Sequence, residues 1–107
     1  MNIPGLSDQD MEDISQVFQS LPEVNRVWLF GSRAKGTNKP GSDVDLALEG
    51  PLLTFDTVRE ARFQLNEETN LPYRFDILDQ STITSSELLD HIQRVGLVVY
   101  EKGKKSG

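Results

Sequence analysis

Apolar residues recur at helical spacing near the start of the chain: Met11, Ile14, Val17, Phe18 and Leu21, closed by Pro22. That spacing predicts an amphipathic helix. Ser7 and Asp10 stand at the interval of a capping box at its start. Val27-Trp28-Leu29-Phe30 is short, continuous and apolar, which predicts a strand buried on both faces, near the centre of a sheet. Gly31-Ser32 ends it. Residues 35 to 42 are turn chemistry, with Pro40-Gly41 the strongest break. Asp43 to Leu48 alternates with period two and predicts a second strand, closed by Gly50-Pro51. A longer helix is expected next, with Phe55, Val58, Ala61 and Leu65 on one face and Arg59, Arg62 and Glu68 off it. Asn70 and Pro72 stop it. Tyr73 to Leu78 is a third strand candidate. Thr84 and Glu87 repeat the capping-box interval, opening a helix with Leu88, Leu89, Ile92 and Val95 inward. Gly96 stands where a C-cap glycine would. Leu97 to Tyr100 is a last short strand, and Glu101 to Gly107 a solvated, frayed tail.

Helices apolar on one face must lie against a sheet. The order therefore predicts an α/β fold with a mixed central sheet packed with helices. The 107 residues suit one small domain, residues 1–107, with no repeat and no linker. Seventeen acids against eleven bases give a net charge of −6. A surface that acidic argues against stable binding to long nucleic acid, which depends on phosphate neutralisation. The absence of cysteine excludes thiolate zinc sites, disulfides and cysteine nucleophiles. No apolar run is long enough to span a bilayer, and the first residues lack the features of a secretory signal. A cytoplasmic protein without membrane attachment is the expectation.

Three features carry candidate chemistry: Gly31-Ser32, Asp43-x-Asp45 and Asp76. Residues i and i+2 of a strand share a face and lie roughly 6.5–7 Å apart at Cα. Asp43 and Asp45 are thus expected to project together, while Val44, Leu46 and Leu48 face the helices. Like charges at ~4 Å repel by about 4 kcal/mol at an effective dielectric near 20. A divalent cation would reverse that sign, and carboxylate oxygens suit magnesium. The plainer alternative is an Asp-rich turn opening an exposed strand. Gly31 permits close backbone approach to a ligand, and the N–H groups after it can bind phosphate, with Arg33 and Lys35 adding charge. The alternative there is an ordinary strand-to-helix turn capped by Ser32. Asp76 interrupts an apolar strand, where a carboxylate needs a metal or a partner such as Arg74. Asp79 reads as a turn or cap residue.

Together these parts are equipment for nucleotidyl transfer by two cations, which clamp the attacking and leaving oxygens. The run Gly31-Ser32-Arg33-Ala34-Lys35-Gly36, followed by Ser42-Asp43-Val44-Asp45-Leu46, resembles the G-S-x10-D-x-D signature of the polymerase-β-like nucleotidyltransferase superfamily. The short length resembles its minimal nucleotidyltransferase (MNT) group. Phe75 to Asp79 and the late Ile92, Gly96 and Tyr100 extend the likeness. Lys35 stands where that family often has arginine.

The resemblance implies a polymerase-β-like nucleotidyltransferase fold and magnesium held at a two-metal site by Asp43, Asp45 and Asp76. Asp76 would complete the site toward the acceptor hydroxyl and help deprotonate it. Gly31 and Ser32 would hold the β- and γ-phosphates of ATP, with Arg33, Lys35 and Ser42 completing the nucleotide site. It also implies a partner, a HEPN-domain toxin bound in a hetero-oligomer, onto which AMP is transferred so that the chain acts as antitoxin. Transfer to a small molecule, or a contact-only module that neutralises its partner, are the alternatives. His91, the only histidine, is expected to be a surface or partly buried helix residue. Trp28 reads as core, and Tyr73 and Tyr100 as packing residues.

Overall fold

The computed structural model describes residues 5–39 and 41–103. The expected break at Pro40 and the part of the tail beyond residue 103 lie outside the described residues. The expected start of the tail at Glu101 is corrected, because Glu101 extends the last strand, its carboxylate accepts from Arg26, and the Lys102 N–H donates to the Asn25 carbonyl. The first helix, α1 (Asp8–Gln19), begins with the capping box read from the sequence: Ser7 Oγ accepts from the Asp10 N–H, and the Asp10 carboxylate from the Ser7 N–H. Next come β1 (Arg26–Phe30), a short α2 (Gly31–Lys35), β2 (Val44–Glu49) and α3 (Phe55–Phe63). A π turn (Gln64–Glu68) continues α3 before β3 (Phe75–Asp79). A 3-10 turn (Gln80–Thr82), α4 (Ser86–Val95) and β4 (Leu97–Glu101) complete the chain.

The strands form one four-stranded sheet in the order β3-β2-β1-β4. β1 runs antiparallel to both its neighbours, and β2 and β3 are parallel. The sheet is therefore mixed, and β1 is interior, as its continuous apolar run requires. Alternation along the strands sorts side chains to two faces. Val27, Leu29, Val44, Leu46, Leu48, Phe75 and Ile77 join Ile14, Val17 and Phe18 of α1 and Val58 and Ala61 of α3 in the larger core. Phe30, Ala47 and Ile92 form a smaller core on the opposite face, with Trp28, Leu78 and Leu88 against it. Trp28 is thus a packing residue, and its indole N–H donates to Glu49 at 3.0 Å. No helix among the described residues is long and apolar enough to cross a membrane.

Several local expectations are corrected. Phe55 is 76% exposed, because it occupies the first helical turn, outside the sheet's cover, under the Arg59 guanidinium. The N-cap of α4 is Ser85, one residue after Thr84; its hydroxyl accepts from the Leu88 N–H. Gly96 ends α4 in extended rather than left-handed conformation. Glycine is needed there for space, since a Cβ would run into the Ile92 carbonyl and the Trp28 ring.

β3 lies at the sheet edge, not in its interior, so Asp76 is exposed rather than buried. That outer edge is covered by side chains. Asn66 of the π turn both donates to the Phe75 carbonyl (3.1 Å) and accepts from its N–H (2.8 Å), as a neighbouring strand would. Arg62 donates to the Ile77 carbonyl at 3.1 Å. Edge strands with open backbone groups invite pairing with other chains, and covering them removes that hazard.

Candidate active site

Register brings the aspartates together. Phe30 of β1 is opposite Asp45 of β2, and Asp45 is opposite Asp76 of β3. Asp43 precedes β2 by one residue and is exposed. Val44, Leu46 and Leu48 are at most 1% exposed. Asp45 therefore shares the face of the smaller core with Ala47, as period-two alternation demands.

The carboxylates feel each other. Asp45 is half-buried, and its pKa rises to about 6: burial is the largest cause, followed by the negative charges of Asp76 and Asp43, with Arg33 opposing. Among the described residues no three His, Asp or Glu side chains stand close enough together to hold a metal ion. The donor set nevertheless fits magnesium in chemistry, with hard oxygens only and a mutual repulsion that a dication would relieve.

Gly31 is in left-handed conformation (φ +76), and a Cβ there would collide with the Asp45 carboxylate. Glycine is required on both counts. Its N–H donates to His91 Nε2 of α4 at 3.0 Å. That bond needs the neutral tautomer with its proton on Nδ1, and the His91 ring meets Phe30 edge-on. Sequence reasoning missed His91. A lone helical histidine carries no motif, and the contact spans sixty positions of chain. α2 starts at Gly31 with Phe30 as N-cap, so Ser32 is not the cap. Ser32 is half-exposed in the first turn, and its carbonyl accepts from the Thr37 N–H.

Arg33 is a correction. Expected to lend charge to a phosphate, it is 3% exposed. Its guanidinium donates to the Ser42 carbonyl at 2.8 Å and stacks 5.0 Å from the centre of the Tyr73 ring. The Tyr73 hydroxyl in turn donates toward the Gly5 carbonyl and the Asp10 carboxylate. Burial by itself raises the Asp10 pKa, but bonds from the Ser7 N–H, Tyr73 and the Ser7 hydroxyl outweigh it and hold the group low. Arg33 thus ties together the segments leading into β2 and β3, which carry the aspartates. The Ser42 hydroxyl accepts from the Lys39 N–H and closes the turn before Asp43. Lys35 is exposed at the end of α2. Asp79 caps the 3-10 turn, accepting from the Ser81 N–H.

Asp43 and Asp76 line a cleft of about 400 Å³ together with Arg62, Asn66, Arg74 and Phe75. Asp76 makes no ion pair with Arg74 or any other arginine among the described residues. The structural-pair alternative for Asp76 therefore finds no support. A separate cleft of about 430 Å³ between α1 and the π turn, lined by Asp13, Gln64 and Glu68, contains none of these aspartates.

The sequence model of the family described as "Polymerase beta, Nucleotidyltransferase" matches residues 12–105. The chain belongs to the polymerase-β nucleotidyltransferase family. Within that family, it is 38% identical over 103 residues to "Probable protein adenylyltransferase MntA" of Haemophilus influenzae, covering 92% of this chain and 86% of that protein. Its fold matches a chain in the crystal structure of a toxin-antitoxin with AMP-PNP, with a TM-score of 0.71 at 22% identity over 88% of this chain and 75% of that one. It also matches a chain in the complex of a tri-AMPylated Shewanella oneidensis HEPN toxin with MNT antitoxin, with a TM-score of 0.63 at 19% identity over 85% of this chain and 69% of that one. These likenesses carry the nucleotidyltransferase fold from β1 through β4.

Proposed function

We propose that this nucleotidyltransferase moves AMP from ATP to a hydroxyl on a helical partner protein of HEPN type and acts as that toxin's antitoxin. The observation that carries this reading is the pairing of Asp45 with Asp76 across neighbouring strands, with Gly31 against the Asp45 carboxylate and Asp43 two residues before Asp45. Kinship with MntA supports protein as the acceptor class.

Asp43, Asp45 and Asp76 would hold magnesium, which when bound supplies positive charge against the triphosphate and the departing pyrophosphate. The chain's own residues do the positioning. Gly31 offers a surface without a side chain, held in place through its N–H by His91. Ser32, on the same turn, is free to contact the β- and γ-phosphates, with Lys35 nearby in sequence. Asp76 is exposed at the cleft and would take the proton of the acceptor hydroxyl. The acceptor oxygen bonds to the α-phosphorus, the bond from that phosphorus to the bridging oxygen breaks, and pyrophosphate leaves. Most of the acceleration in such chemistry comes from alignment and charge stabilisation.

Intact mass spectrometry of the partner, co-expressed with the wild-type chain or with Asp76→Ala, tests the reading. Mass increments of AMP with the wild type and none with the variant are expected. An unmodified partner that is still neutralised would replace transfer by simple contact.

A further inference from the structure

The cleft that holds Asp43 and Asp76 is lined by positive charge as well. Arg62 and Arg74 line it, and both also line an adjoining cleft of about 530 Å³. On a chain of net charge −6 this pairing is out of character. Neither arginine forms an ion pair among the described residues. Arg62 is steadied by its single bond to the Ile77 carbonyl, which leaves its other donors open. The Arg74 side chain makes no hydrogen bond to any described residue. Two guanidinium groups with open, planar donor forks at one cleft match the oxygens of a phosphate group.

Position decides which phosphate. Sheet order places the Gly31-Ser32 turn, after β1, on one side of Asp45, and Arg74 and Asp76, on β3 and its approach, on the other. The carboxylates therefore separate two phosphate-attracting positions. We propose that Arg62 and Arg74 form a phosphate subsite on the acceptor side, for an acceptor that already carries a phosphodiester. This rests on the transfer reading above. The product of a first transfer has that chemistry: an AMP phosphodiester with a free ribose hydroxyl. With the diester held by the arginines, the ribose hydroxyl reaches Asp76. In the next transfer its proton passes to the carboxylate, its oxygen bonds to the α-phosphorus of a second ATP, and pyrophosphate departs. Arg62 and Arg74 thus serve the acceptor in a second transfer, after the first has given it a phosphodiester.

The test uses the full chain, with ATP and the dinucleotide ApA as probes, both titrated in magnesium chloride. ApA presents one phosphodiester and a terminal ribose. Arg62→Gln/Arg74→Gln is expected to weaken ApA binding about tenfold, the scale of charge-assisted phosphate contacts, and to leave ATP affinity within about twofold. Arg62→Lys/Arg74→Lys should restore part of the ApA affinity, which a misfolded protein could not. In the mass assay the glutamine variant should stop after the first AMP. Equal loss of ATP and ApA binding would assign the arginines to the donor's polyphosphate and overturn the proposal. So would a wild type that binds ATP but not ApA, or ApA affinity unchanged in the variant. Failure of the wild type to bind ATP or to modify its partner would instead sink the transfer reading.

Discussion

In the folded protein the Asp45 carboxyl titrates near 6, from burial first and then from its two acidic neighbours. Its unfolded value is about 3.9. A raised acid pKa means that the folded state binds the proton more tightly. This contribution is therefore fully present below about pH 4 and is lost as pH rises toward about 6. Above that range the ionised group is a standing penalty, on the order of 1–2 kcal/mol once solvent screening at a partly open site is allowed for. Asp45→Asn should accordingly raise the melting temperature by a few degrees at pH 7.5, with the gain vanishing at pH 4, while ending transfer. Thermal melts across that pH range check the sign; equal gain at both pH values would locate the effect elsewhere. His91 acts on the same site through Gly31. Removing its acceptor leaves the amide without its partner, a loss of about 1 kcal/mol. His91→Ala should raise KM for ATP several-fold with a smaller change in kcat. His91→Gln, whose side-chain oxygen can accept, should recover part of it. A variant with unchanged KM would remove His91 from the positioning of this turn.

At the scale of elements, the π turn after α3 matters most. A continuous α-helix through Gln64–Glu68 would place Asn66 differently. The wider turn, closed by the Thr69 N–H to the Gln64 carbonyl, accompanies an Asn66 that reaches both backbone groups of Phe75. Asn66→Ala should cost about 1–3 kcal/mol, the range for orphaned backbone groups, and speed amide exchange at Phe75 relative to β1. Unaltered exchange there would show that water replaces the side chain without loss. This device was not legible in the sequence, because Asn66 sits mid-helix in an otherwise regular pattern. Nor was the edge position of β3: Phe75 and Ile77 alternate with Asp76 in a way that suits either place in a sheet. Strand and helix identities were legible, because burial on one face enforces periodicity. Of the site, the aspartates and Gly31-Ser32 could be read from residue type and spacing. The roles of Arg33 and His91 could not. Arginine looks the same in sequence whether it meets a phosphate or a carbonyl, and the Gly31–His91 bond exists only once α4 is folded over the sheet.

For the whole molecule, the balance of seventeen acids against eleven bases leaves negative charge that the fold gathers partly at one end of the sheet. Any salt relieves such repulsion, with a screening length of about 8 Å at physiological ionic strength. Magnesium should do more, because a ligand that binds only the folded state adds stability by mass action, about 2.7 kcal/mol at a concentration one hundred times Kd. The melting temperature of the wild type should thus rise with magnesium chloride beyond the rise in sodium chloride of matched ionic strength. Asp43→Asn isolates the specific part. Asp43 is exposed and lies outside the core, so the variant should fold as well as the wild type and keep the sodium response. The excess due to magnesium should shrink or vanish. If the excess persists in Asp43→Asn, this carboxylate does not take part in holding the cation; if the wild type shows none, the gathered charge answers only to general screening.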